Sequence, residues 1–249
     1  MLLNGVESKL TEKLMLTHQR FGPGFGLSSG SPFCTKVDFL LSMAGIEVKT
    51  DISPEVFHSA PKRRLPVFKH GDRLIPDSEH MKEYLEDEHG ADFTGGYGPK
   101  DLATANAFVR LAEHSLYYIL VCHRWLDEEN FKTIIETFFS GAPEAVALET
   151  REKVKTKLAL QGYGDHTPQQ RLALAQKDLS SISITLGDNP YFLGNAISFV
   201  DASLAALLLH GLALLPNSAL ADQIQKFPNL EPYAHRVAEE LGTAYAKAA

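Results

Sequence analysis

A chain of 249 residues can hold one large domain or two modest ones, and two are expected here. Its 44% hydrophobic and 22% charged residues match ordinary globular proteins and exclude a disordered chain. A formal net charge of -7 without a basic stripe argues against a nucleic-acid partner. Two cysteines far apart, Cys34 and Cys122, exclude a disulfide framework, a Cys-x-x-Cys pair and a four-ligand zinc site.

The opening MLLNGVESKLTEK has neither the apolar run of a secretory signal nor the arginines of a transit sequence. The most apolar stretch, Leu204 to Leu215, contains His210 and is too short for a bilayer, so a cytoplasmic protein with no membrane span is expected. In chain order, Lys13 to His18 reads as a strand feeding the glycine-rich loop FGPGFGLSSG. This loop lacks a lysine after its glycines, so it is no nucleotide-binding loop and is expected to shape the mouth of a cleft. Ser31-Pro32 then opens a helix with Val37, Leu40, Leu41 and Ala44 on one side and Gly45 as its stop. Ile46 to Thr50 reads as a strand. Leu65 to Phe68 and Arg73 to Ile75 read as two more, joined across Lys69 to Asp72, and Ser78 to His89 as a helix closed by Gly90.

This order is that of a thioredoxin-like domain, placed at residues 1–92, with a linker at 93–99 in the stretch DFTGGYGP. Residues 100–249 read as an all-helical bundle, with helices at 101–126, 142–161, 168–187, 198–215 and 228–241. Ser198 and Asp201 have the spacing of a capping pair, opening an apolar helix that belongs in the centre. His80, His89, His114 and His123 have no metal-ligand spacing, and no metal is expected.

Ser31-Pro32-Phe33-Cys34, Ala60 to Pro66, Pro76-Asp77-Ser78 and Ser198 to Asp201 together resemble the successive signature points of glutathione transferases, over nearly the whole chain. The loop before Ser31 and the segment Gln161 to His166 (QGYGDH) resemble the branch that includes metaxins and the failed-axon-connections proteins. The resemblance implies a β-α-β-α-β-β-α domain followed by an α-helical domain, glutathione as co-substrate, a small hydrophobic electrophile as second substrate, and a homodimer.

It also implies roles for residues. Ser31 would donate to the glutathione sulfur at a helix N-terminus, where partial positive charge favours a thiolate; the alternative is that it only caps the helix. Leu65-Pro66 would be a cis dipeptide meeting the cysteinyl backbone of glutathione, against an ordinary trans proline. Arg64 and Lys62 would meet the glycyl carboxylate, against plain surface charge. At Asp77-Ser78 the serine hydroxyl and backbone N–H groups would take the γ-glutamyl carboxylate, against a plain N-cap at Asp77. Arg110, His114 and Tyr117 share a stripe with Val121 that would border the electrophile or simply pack against neighbouring helices. Conjugation of glutathione is the first reading. A non-catalytic metaxin-like interaction module is the second, favoured by the long loop and by Arg63 where a small residue is usual. A glutathione-dependent thiol reductase or peroxidase using Cys34 is the third, against the inward, unreactive cysteine that the family pattern often has at this place.

Overall fold

The computed structural model describes residues 15–242. A four-stranded sheet runs in the order β2-β1-β3-β4, built from β1 (Thr17–Gln19), β2 (Lys49–Asp51), β3 (Val67–His70) and β4 (Arg73–Pro76). β1 and β2 are parallel, and the other pairs are antiparallel. Helices α1 (Pro32–Ala44), α2 (Pro54–Ser59) and α3 (Ser78–His89) complete the thioredoxin-like arrangement that the sequence implies. β1 lies later than expected; Lys13 and Leu14 fall outside the described residues. Lys69 and His70 are strand rather than turn. They pair with Leu74 and Arg73, leaving Gly71-Asp72 as a two-residue connection.

Beyond Pro99 every described element is helical: α4 (Pro99–Arg110), a π turn (Leu111–Leu116), α5 (Tyr117–Trp125), α6 (Glu128–Phe138), α7 (Glu144–Leu160), α8 (Pro168–Leu186), α9 (Phe199–Leu212), α10 (Ala219–Gln225) and α11 (Leu230–Glu240). The helix expected over 101–126 is therefore interrupted, and α6 and α10 are additions. α6 starts at Asp127, whose carboxylate caps the N–H groups of Glu129 and Asn130.

Helix α9 is buried on all sides from Val200 to Gly211 and packs against both α1 and α11. Its start is held by Asp201, whose carboxylate accepts from the Ser198 N–H at 2.8 Å, as the capping pair predicts. The same carboxylate accepts from Phe192 N (2.8 Å), Tyr233 Oη (2.8 Å) and Ser198 Oγ (3.2 Å). One hydrophobic core spans both halves of the chain, from Phe39 and Phe68 to Leu204 and Tyr233.

A buried ion cluster fastens the halves together. Lys36 of α1 bonds Glu79 of α3, and reaches Glu113 of the π turn at 2.6 Å; Ser203 of α9 donates to Glu113 at 2.9 Å. Arg110 of α4 pairs with the other Glu79 oxygen at 2.9 Å. Burial by itself would raise the Glu79 carboxyl, but Lys36, Arg110 and Lys82 bring it below the ordinary glutamate value.

Replacing Lys36 by Met leaves the Glu113 carboxylate buried without its cation, and should cost about 3–5 kcal/mol in urea unfolding. The double variant Lys36→Met/Glu113→Leu should recover most of that loss. Because the Glu79 pKa is depressed by folding, its contribution is full above the unfolded value and disappears as pH falls through the folded one. Melting temperature should therefore drop below the ordinary glutamate range, and the drop should be shallower in Glu79→Gln.

Candidate functional site

Strand register gathers the sequence-predicted residues at one end of the sheet. Val67 pairs with Pro76, so Leu65-Pro66 before β3 and Asp77-Ser78 after β4 emerge side by side. Gln19 pairs with Val67 from the other side, so the chain leaving β1 toward Ser31 starts at the same end. The Leu65-Pro66 peptide bond is cis, as the resemblance implies.

Ser31 occupies the N-cap of α1 with extended backbone, but its hydroxyl makes no capping bond. The hydroxyl instead lies within hydrogen-bond reach of the Cys34 thiol, at a helix terminus whose first N–H groups lack intrahelical acceptors. At the start of α3, Asp77 sits at φ 83° and its side chain accepts from the Glu79 N–H at 3.1 Å; Ser78 beside it is buried. A non-glycine residue in this left-handed region costs roughly 1–3 kcal/mol and is characteristic of ligand-binding turns. Lys62 and Arg63 also have positive φ, 64° and 48°, in the exposed turn that leads through Arg64 to the cis proline.

The electrophile stripe is divided. It presumes an unbroken α-helix, and the π turn puts one extra residue into the ladder, rotating the helix beyond it. Arg110 turns to Glu79, and His114 is exposed. Tyr117 faces the site: its ring lies 4.8 Å from that of Phe33, two residues into α1. Burial, foremost, raises the Tyr117 hydroxyl pKa, so it stays protonated at neutral pH; Arg64 and Arg124 act in the opposite sense. From Tyr117 an aromatic row continues through Tyr118 to Tyr163, at 5.4 and 5.6 Å, the latter pair stacked. Tyr163 belongs to the QGYGDH segment, whose carbonyls at Tyr163 and His166 are held by Arg171.

Cys34 is fully buried among Val56, Leu65 and Val67, and burial pushes its thiol up to about 11. The cysteine is thus inward and protonated, which argues against the reductase reading. The glycine-rich loop is pinned rather than open. Gly24 and Leu27 bond each other's backbones, Arg20 bonds Ser28 O at 2.6 Å, and Ser29 Oγ bonds Phe21 O at 2.9 Å. It lies on α6, so closely that a Cβ on Gly30 would stand 2.6 Å from the Phe138 ring.

Phe33 and Arg124 border the site, yet the sequence does not single them out. Phe33 belongs to the Ser31-to-Cys34 motif, but only the packing of α1 against α5 shows what its ring meets. Arg124 carries no local signal at all.

The fold has counterparts among known proteins. A family model described as the glutathione S-transferase N-terminal domain matches residues 32–130, and one for the C-terminal domain matches residues 175–237. The isoprene-epoxide glutathione S-transferase of Rhodococcus sp. (strain AD45) is 31% identical over 236 residues, covering 91% of this chain and 99% of that protein. Human metaxin-2 is 21% identical over 208 residues, covering 81% of this chain and 78% of its own. Among solved structures, a glutathione S-transferase of Ceriporiopsis subvermispora in complex with glutathione has a TM-score of 0.64 at 17% identity, over 94% of this chain and 100% of the other. Rice GST1 with glutathione has a TM-score of 0.58 at 17% identity, over 92% of this chain and 89% of its own.

Burial of Cys34 gives a direct test. Native protein at pH 8 should resist alkylation of this residue by iodoacetamide for hours and react within minutes once unfolded; rapid native labelling, located by peptide mass, would contradict the core-thiol assignment.

Proposed function

The chain belongs to the glutathione S-transferase superfamily, and from that premise we propose that it conjugates glutathione to a small hydrophobic electrophile, an epoxide of a small alkene. The observation that carries this reading is the Ser31 hydroxyl, standing at a helix N-terminus without a capping bond. It can donate to the glutathione sulfur and hold it as thiolate.

Glutathione would lie along the sheet end. The cis Leu65-Pro66 peptide meets its cysteinyl backbone, Asp77 and Ser78 meet the γ-glutamyl end, and Arg64 with Lys62 meets the glycyl carboxylate. The thiolate attacks a ring carbon; the C–S bond forms, the C–O bond breaks with its electron pair going to oxygen, and the oxygen takes a proton. Tyr117, whose hydroxyl stays protonated, is the donor assigned to that oxygen, and Phe33 and Tyr118 supply apolar walls. Arg110 and His114, turned away from Tyr117, would at most border the entrance. The epoxide class is suggested by the likeness to the Rhodococcus isoprene-epoxide enzyme. The glutathione half would comprise residues 1–92, a linker 93–99, and the helical half 100–249, acting as a cytoplasmic homodimer.

A second reading, a metaxin-like interaction module, is favoured by the metaxin matches and by the long loop pinned on α6 beside Ser31. Calorimetry separates the two. Under the first reading glutathione binds wild type with a micromolar to low millimolar Kd, about 5- to 30-fold weaker in Ser78→Ala or Arg64→Ala as a charge-assisted contact is removed. Turnover of a small alkene epoxide should then fall roughly 100-fold or more in Ser31→Ala, the size of losing one preorganised donor. Absence of binding at several millimolar glutathione would leave the module.

A further inference from the structure

Arg124 of α5 is buried and, among the described residues, forms no ion pair. Its Nη1 donates to Gly30 O at 3.3 Å, Nη2 donates to His210 O at 2.9 Å, and Nη2 lies 3.1 Å from His210 Nδ1. The guanidinium carbon is 3.9 Å above the Phe25 ring, and Nε has no hydrogen-bond partner. An unpaired buried guanidinium is expensive, because neither water nor a carboxylate offsets its lost solvation.

The bonds around it have a direction. Arginine can only donate, so His210 Nδ1 accepts and its proton sits on Nε2. Nε2 lies 3.0 Å from Thr35 Oγ1 and donates to it, and Thr35 Oγ1 donates in turn to Ser31 O at 3.3 Å. The carbonyls of Gly30 and Ser31, on either side of the Ser31 Cα, are thus both fixed by one network that begins at a cation.

The titratable groups facing Arg124 are Tyr117 and His123 on its own helix run, His210 on α9, and Cys34 on α1 across Tyr117. Burial leads the shift that keeps each of them neutral at pH 7. Asp127, which faces His123, is occupied by the N–H groups of Asn130 and Glu129 and the side chain of Asn217. Arg171 also faces His123, and Arg64 faces Tyr117; both add positive charge. Asp38 and Arg20, which act on Cys34 with opposite signs, are paired with each other at 2.6 Å. Among the described residues no carboxylate pairs with Arg124, and the burial that pulls it down to about 9 leaves it charged at pH 7.

We propose that Arg124 is the positioning residue of this site: its buried charge, with the His210–Thr35 relay, orients Ser31 and stabilises the thiolate of glutathione bound there. The substrate sulfur is then the counter-ion of this cation. This inference rests on the transferase reading. It does not involve Arg64 or Lys62, whose exposed charges are screened by salt.

The test is the pKa of the bound thiol, read from thiolate absorbance near 240 nm in wild type, Arg124→Met and Arg124→Lys saturated with glutathione. Arg124→Met should raise that pKa by about one unit, the effect of a charge roughly 10 Å away at an effective dielectric constant near 20. Arg124→Lys, which keeps the charge, should shift it by less than half as much. A folded Arg124→Met that binds glutathione with the wild-type thiol pKa overturns the proposal while sparing the transferase reading. If Arg124→Met does not fold, wild type alone decides. Between about 0.02 and 0.5 M salt the screening length shrinks from roughly 20 Å to about 4 Å, yet a buried source should leave the pKa within about 0.3 unit. A rise of about one unit or more would assign the field to exposed cations and overturn the proposal. Wild type that binds no glutathione overturns both readings together.

Discussion

The ammonium of Lys36, enclosed by two carboxylates, is the constraint to which the rest of the structure is fitted. It comes from the helix that carries Ser31, and its partners come from the two parts of the chain that this helix must join: Glu79 on α3 and Glu113 in the π turn. A charge pair taken out of water is a poor source of net stability, because desolvation cancels much of the attraction. Its geometric demand is strict, however. Neither Lys36 nor Glu113 can be left alone in the interior, so α1 must meet the helical half in one register. Arg110 on α4 takes the other Glu79 oxygen, and Ser203 on α9 donates to the same Glu113 oxygen as Lys36, which extends that demand to two more helices.

Fixing α1 in this way fixes the site, since Ser31 lies at its first turn. The π turn belongs to the same cluster: it is the segment that carries Glu113, between α4 with Arg110 on Glu79 and α5 with Tyr117 on Phe33. A continuous α-helix would place these residues on a different set of faces. On the other side of α1, the fully buried α9 supplies His210, and α5 supplies Arg124; both close behind Ser31. The glycine-rich loop then seals the assembly. Gly30 passes so near Phe138 that any side chain there would displace the ring, and its carbonyl is the one Arg124 holds.

The chemistry of such a site differs from that of a thiol enzyme. The protein's own sulfur at this position, Cys34, is deep among apolar side chains and protonated, whereas the positive end of α1 and the cation behind it face outward to Ser31. Under the transferase reading proposed above, the thiol to be activated is the one brought by the substrate. The likeness to the Rhodococcus isoprene-epoxide enzyme spans nearly all of both chains, while the metaxin likenesses cover less of either chain. What separates the readings is therefore glutathione binding rather than the fold, which both families share.

By itself the sequence determined the elements whose ends are chemically marked and the points that carry the family pattern. Ser31-Pro32 and Gly45 bound α1, Gly90 closes α3, and Ser198 with Asp201 opens α9, because caps act through neighbouring backbone groups and need no distant partner. Strand limits were less legible: β1 and β2 hold three residues each, too few for a period to show, and pairing decides which residues join. α6 does carry local marks, the Asp127 cap and Phe131 and Ile134 at helical spacing, whereas the π turn has no local signature and shows only in the hydrogen-bond ladder. Only the tertiary structure decided the burial of Cys34 and the surroundings of Arg124. Burial sets whether a thiol ionises and whether a cation lacks a counter-charge, and burial is a property of residues brought from far along the chain.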